Sequence, residues 1–190
     1  MRTRDDAKEI KPNSEKNLDG YGSAPIAWER AHDRLEQEWR LQAAAEFGGV
    51  DEPHTHWLAT VRPDGRPHVM PVGAVWLDGH FYFSAGAGTR KAKNLARNPH
   101  CVITLAAAGI DLVLEGEAEK VTEDAKLHRV AEVFASQGWA PTVRDGAFYH
   151  EFSAPSAGPP PWDVYEFTPR TVFGLATAEP YGATRWRFKS

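Results

Sequence analysis

The spacing of apolar residues changes along the chain, and each change marks an element. After Pro25, residues Trp28, Ala31, Leu35, Trp39 and Ala43 recur at intervals of three or four, which predicts a helix over 25–47 ended by Gly48-Gly49. From Trp57 the period becomes two. Strands are expected over Trp57–Val61, Val69–Leu77 and His80–Ser84, joined by tight turns at Asp64-Gly65 and Asp78-Gly79. Such short links make an antiparallel meander rather than βαβ units. After Ala85-Gly86-Ala87-Gly88, Thr89 is placed to cap a short helix over Arg90–Ala96, which Asn98-Pro99 stops. Cys101–Leu105 and Leu112–Ala118 read as strands. Thr122-Glu123-Asp124 opens a helix with Leu127, Val130, Ala131 and Phe134 on one face. Asp163–Phe167, Thr171–Leu175 and Thr184–Phe188 are the last strand patterns.

About eight strands with helices between them predict a mainly β, α+β domain: a small antiparallel barrel with peripheral helices. Gly116 and Gly174 interrupt strand patterns where a barrel needs bulges. Residues 1–24 are polar and read as a flexible or loosely draped arm, leaving 25–190 as one domain. Within it, 138–161 is rich in Gly and Pro and is expected to be a long irregular loop.

Composition narrows the function. Lys+Arg 22 against Asp+Glu 26 gives a net charge of -4, which argues against a nucleic-acid-coating protein. One cysteine, Cys101, leaves no internal disulfide and fits a reducing compartment. The first residues, MRTRDDAKEIKPNSEKN, lack the apolar stretch of a secretory signal, and no run is long enough to span a bilayer. A cytoplasmic protein without membrane partners is expected.

Candidate chemistry concentrates at Thr89-Arg90-Lys91-Ala92-Lys93, where a hydroxyl residue opens a helix bearing three cations. That pattern suits either a phosphate cradle or a solvated basic helix. In His68-Val69-Met70-Pro71-Val72 a proline inside a strand suits an edge, or a backbone that faces a ligand. His54 and His56 share a strand face but lack a third metal ligand. There is no Gly-x-Ser-x-Gly elbow, and Cys101 sits in an apolar run as an inert thiol. Alternation puts Arg185 and Arg187 on one face of the terminal strand, as an anion clamp or as charges that blunt an edge.

The order Trp57–Val72, Phe81–Ser84, Thr89–Leu95, Asn98-Pro99 and Thr184–Phe188 resembles the FMN-binding split barrels of the pyridoxamine 5′-phosphate oxidase-like superfamily, closest to their actinobacterial flavin/deazaflavin oxidoreductase branch. The resemblance covers about residues 54–188. It implies a homodimeric Greek-key split barrel with two cofactor sites at the subunit interface. The phosphate-binding pair matches Arg90 and Lys91, with Thr89 before it. The residues lining the isoalloxazine match His68 to Val72, and the third-strand residues match Tyr82, Phe83 and Ser84. A polar residue supplied by the facing subunit matches Asp111. The late arginine matches Arg187, and its aromatic partner falls loosely on Phe173. True pyridoxamine phosphate oxidases place a Tyr and an Arg one helical turn apart where this chain has Arg129 and Val133, which speaks against vitamin B6 chemistry.

The implied function is hydride transfer to or from a small organic substrate, with FMN or the deazaflavin coenzyme F-420 as cofactor and no nominated acid or base. Lys93 and Arg97 share a helical face, and Lys8, Lys11 and Lys16 lie in the arm. These extra cations favour the deazaflavin, whose tail carries carboxylates. The alternatives are a pyridoxamine phosphate oxidase proper, a non-catalytic carrier of flavin, haem or bilin using His54, His56 or His150, and a barrel for an apolar ligand.

Overall fold

Strand alternation builds the core directly. The computed structural model describes residues 10–45, 56–153 and 155–189; Lys8, Gly48-Gly49, His54 and the first residues of the arm lie outside them. In chain order the elements are β1 (Ser14–Asn17), α1 (Trp28–Ala45), β2 (His56–Val61), β3 (Pro67–Val72), β4 (Ala74–Leu77), β5 (His80–Gly86), α2 (Arg90–Leu95), β6 (His100–Ala107), β7 (Ile110–Lys120), α3 (Asp124–Ser136), β8 (Thr142–Arg144), β9 (Ala147–Tyr149), β10 (Trp162–Ala176) and β11 (Ala183–Arg187). Of the α1 stripe, Trp28, Ala31 and Leu35 are buried; the side chains of Trp39 and Ala43 are outside the described set.

The strands run in the order β1-β11-β10-β7-β6-β2-β3, and β5 joins the other part of β10 while pairing with β4. Every pairing is antiparallel. Register aligns Met70, Leu58, Ile103, Leu114, Val172 and Trp186 across six strands on the inner face. The row Pro71, Trp57, Thr104, Val113, Phe173 and Arg185 faces outward. This is a split antiparallel barrel. A second core lies where Leu127, Val130 and Phe134 of α3 pack on Val75, Leu77, Tyr82 and Val164.

Tertiary pairing revises several expectations. The 69–77 strand breaks at Gly73, where the chain leaves β2 to pair with β5. The 163–175 region is one long strand with an irregularity between Pro169 and Thr171. Gly116 faces that irregularity: a Cβ there would stand 2.1 Å from the Thr168 carbonyl oxygen. Gly174 makes no bulge; it clears space for the Trp186 ring, which an added Cβ would meet at 2.7 Å. The 138–161 stretch contains the β8–β9 hairpin, turned at Asp145 (φ 51°) and Gly146 (φ 73°). The arm differs too, since Ser14–Asn17 forms an edge strand on β11 with all four residues exposed. Backbone pairing holds it, so its polar composition gave no sign of order.

Candidate functional site

The site lies where β3 and β5 diverge. Beyond the Ala74–Phe83 pair, β5 runs on to Gly86 without β4, and β3 has β2 as its partner. The turn after β5 delivers α2. Thr89 caps it as expected: its Oγ1 accepts from the Ala92 amide at 3.3 Å and donates to the Gly86 carbonyl at 2.8 Å. The helix is six residues long and carries Arg90, Lys91 and Lys93 as its cations.

Lys91, Ala92, Asn94 and Leu95 form the buried side of α2. Ala92 and Leu95 seal the barrel, and Asn94 donates to Thr60 Oγ1 at 2.9 Å. Lys91 is 2% exposed, and its ammonium donates to the backbone carbonyl of Ser156. Burial pushes this lysine below its ordinary range, because a neutral carbonyl replaces water poorly around a charge. Arg90 and Lys93 are exposed on the same helix.

His68 reports the field of the cleft. Burial lowers its proton affinity most, and the positive charges of Arg62, Lys91 and Arg90 lower it further. Its Nδ1 is buried without a hydrogen-bond partner, as is Asn94 Oδ1. The positive charges of Arg62, Lys91 and Arg90 all bear on His68, so this end of β3 is an electropositive environment. Arg62 was missed by sequence reasoning. The only signal was its place at the end of a strand pattern opposite the cationic turn.

The rest of the expected site divides. In β3, His68 and Met70 lie in the inner rows beside Thr60 and Leu58, whereas Val69 and Pro71 face outward and Val72 is buried against His56. Tyr82 and Phe83 are buried in separate cores, so neither side chain is available to line a cleft. Phe83 stacks on Tyr165 at 5.3 Å, and burial, with the charge of Glu166 adding to it, holds the Tyr82 phenol well above its usual range. Ser84 remains half-buried at the end of the strand.

Asp111, Arg185 and Arg187 share the outward sheet face, with four strands between β11 and β3, so a single chain does not bring them to Lys91. Arg129 instead pairs with Asp78 at 2.5 Å. His56 packs edge-on against Phe81 at 5.1 Å and His150 against Phe152 at 4.6 Å. Cys101 is buried, which pushes its thiol up to about 12 and leaves it inert. Among the described residues no helix is long and apolar enough to cross a membrane.

The fold is shared by known proteins. The chain is similar to PhzG from Burkholderia lata, solved with tetrahydrophenazine-1-carboxylic acid, at 18% identity over 89% of this chain and 95% of that one, with a TM-score of 0.53. It is similar to a NimC/NimA family protein from Clostridium acetobutylicum at 19% identity, covering 83% and 91%, with a TM-score of 0.52. A haem-binding protein from Mycobacterium smegmatis matches at 17% identity over 78% of this chain and 57% of that one, with a TM-score of 0.50. At these identities the likeness establishes the split-barrel fold alone. The sequence itself matches the pyridoxamine 5′-phosphate oxidase family model over residues 41–176, and the chain belongs to that family.

Proposed function

We propose that this protein binds a phosphate-bearing flavin-type cofactor, FMN or the deazaflavin coenzyme F-420, and acts as a two-electron oxidoreductase on a small organic substrate. The observation that carries the reading is the buried Lys91 ammonium on a cationic helix, donating to the backbone carbonyl of Ser156. A buried cation that donates to a neutral carbonyl gains countercharge from a phosphate. Lys91, Arg90 and Arg62 would hold that phosphate, with Thr89 fixing the turn that presents them. The bound ring supplies the hydride chemistry. The chain's part is to bind it, orient it along β3 and keep water from it. The exposed Lys93 and Arg97 suit the carboxylate tail of the deazaflavin, and FMN needs neither.

We further propose a two-fold dimer through the outward face of the sheet. That face exposes Trp57 (47%) and Val69 (51%) beside Pro71, Val113 and Phe173, an apolar surface that favours cover. It also carries Asp111, Arg185 and Arg187, which need a second copy to approach a cradle. A stable dimer would bury about 1,600 Å² in total.

The test is to titrate the apoprotein with FMN and F-420, following absorption and the mass of whatever copurifies. Saturable binding of one of them, weakened at least tenfold by Lys91→Ala, is expected. Binding of neither, or copurified haem, overturns the cofactor reading. Light scattering checks the dimer: Trp57→Asp should yield monomers, and a wild-type monomer at micromolar concentration with cofactor tightly bound refutes it.

A further inference from the structure

The segment Ser156–Pro159 lies against Lys91 of α2, the end of β3 and Gly86 of β5 and is pinned from several sides. Its Ser156 carbonyl accepts from the Lys91 ammonium, while Ser156 Oγ donates to the Pro71 carbonyl at 2.9 Å, tying the segment to the end of β3. On the other side Gly86 allows close approach: an added Cβ would stand 2.9 Å from the Pro159 carbonyl oxygen and 3.0 Å from that of Ala157. Gly158 sits at φ 72°, where an added Cβ would meet Thr89 Cγ2 at 3.1 Å, and its carbonyl accepts from Trp162 Nε1 at 2.8 Å.

Resting on the proposed anion site, we infer that Ser156–Pro159 is a displaceable strap: the Ser156 carbonyl holds the Lys91 ammonium until the ligand's phosphate takes its place. The energetics follow from charge. An ammonium–carbonyl contact is a charge–dipole interaction, and an ammonium–phosphate contact is between full charges in a site of low polarity. A dianionic phosphate therefore displaces the carbonyl, and a neutral hydroxyl does not. The strap therefore lowers the affinity for phosphorylated flavins, which must displace it, and leaves unphosphorylated flavins, which do not engage Lys91, untouched.

FMN and riboflavin, followed by flavin fluorescence quenching, are the probes. Ser156→Ala removes the tie to Pro71. Gly158→Ala strains the strap through its positive φ and crowds Thr89, so it performs the same test if the first variant folds poorly. Each should tighten FMN binding by roughly three- to tenfold, as for the loss of one competing hydrogen bond, and leave riboflavin unchanged. In a Lys91→Ala background Ser156→Ala should have no effect on FMN. Adding inorganic phosphate to the wild type should shift tryptophan emission as the Gly158 carbonyl leaves Trp162, and the shift should be missing in Trp162→Phe. Unchanged or weaker FMN binding in both strap variants, or no emission shift, overturns the strap while leaving the anion site standing. Unaltered FMN affinity in Lys91→Ala overturns the anion site and the strap with it.

Discussion

Replacing Lys91 by Met separates binding from stability. Methionine keeps much of the length and volume of lysine and removes the charge. A hydrogen bond to a charged group is ordinarily worth about 1.5–3 kcal/mol, so its loss would ordinarily destabilise the fold. Here the ammonium is buried with a neutral acceptor, and exchanging buried charge for well-packed apolar atoms gains about 1–4 kcal/mol. Stranding the Ser156 carbonyl costs about 1–3 kcal/mol. The centres of the two ranges nearly cancel, which predicts a variant within about 1 kcal/mol of the wild type in urea unfolding. FMN affinity should fall roughly 10- to 150-fold, since the phosphate loses a charged donor. A pH series adds a signature. Burial depresses the folded lysine below its ordinary 10.5, so the unfolded chain binds more protons between the two values. Wild-type stability gains from this residue as pH rises through that window, and the gain disappears in the Met variant. A loss of 2 kcal/mol or more at neutral pH, with FMN affinity intact, would show that Lys91 serves the fold and refute the reasoning.

Two further outcomes are expected. Gly116→Ala should destabilise by about 3 kcal/mol in urea unfolding, because its Cβ would meet a backbone carbonyl that cannot swing away; a change under 1 kcal/mol would mean the strand pair yields. His68 should titrate below 6.5 by NMR, so its share of stability is complete above 6.5 and is lost as pH falls through the depressed value; Lys91→Ala should raise that value, and an unmoved titration would place the cation elsewhere.

The sequence alone determined what depends on neighbours along the chain. Period-two runs and Asp-Gly turns specified the meander, and Thr89 before a cationic run specified the capped turn at Arg90 and Lys91, because caps and tight turns are decided by a few adjacent residues. The Asp145-Gly146 hairpin was legible by the same rule, but the surrounding Gly and Pro obscured it. Other features depended on what stands opposite. Gly174 reads like a bulge until Trp186 is found against it, and Ser14–Asn17 is a strand only because β11 offers an open edge. The family resemblance assigns Tyr82 and Phe83 to the cofactor site, but packing on both sides of β5 consumes them. The bonds from Lys91 to the Ser156 carbonyl and from Ser156 to the Pro71 carbonyl join three stretches distant in sequence. Periodicity reports which face a residue shares, and only tertiary packing decides what that face meets.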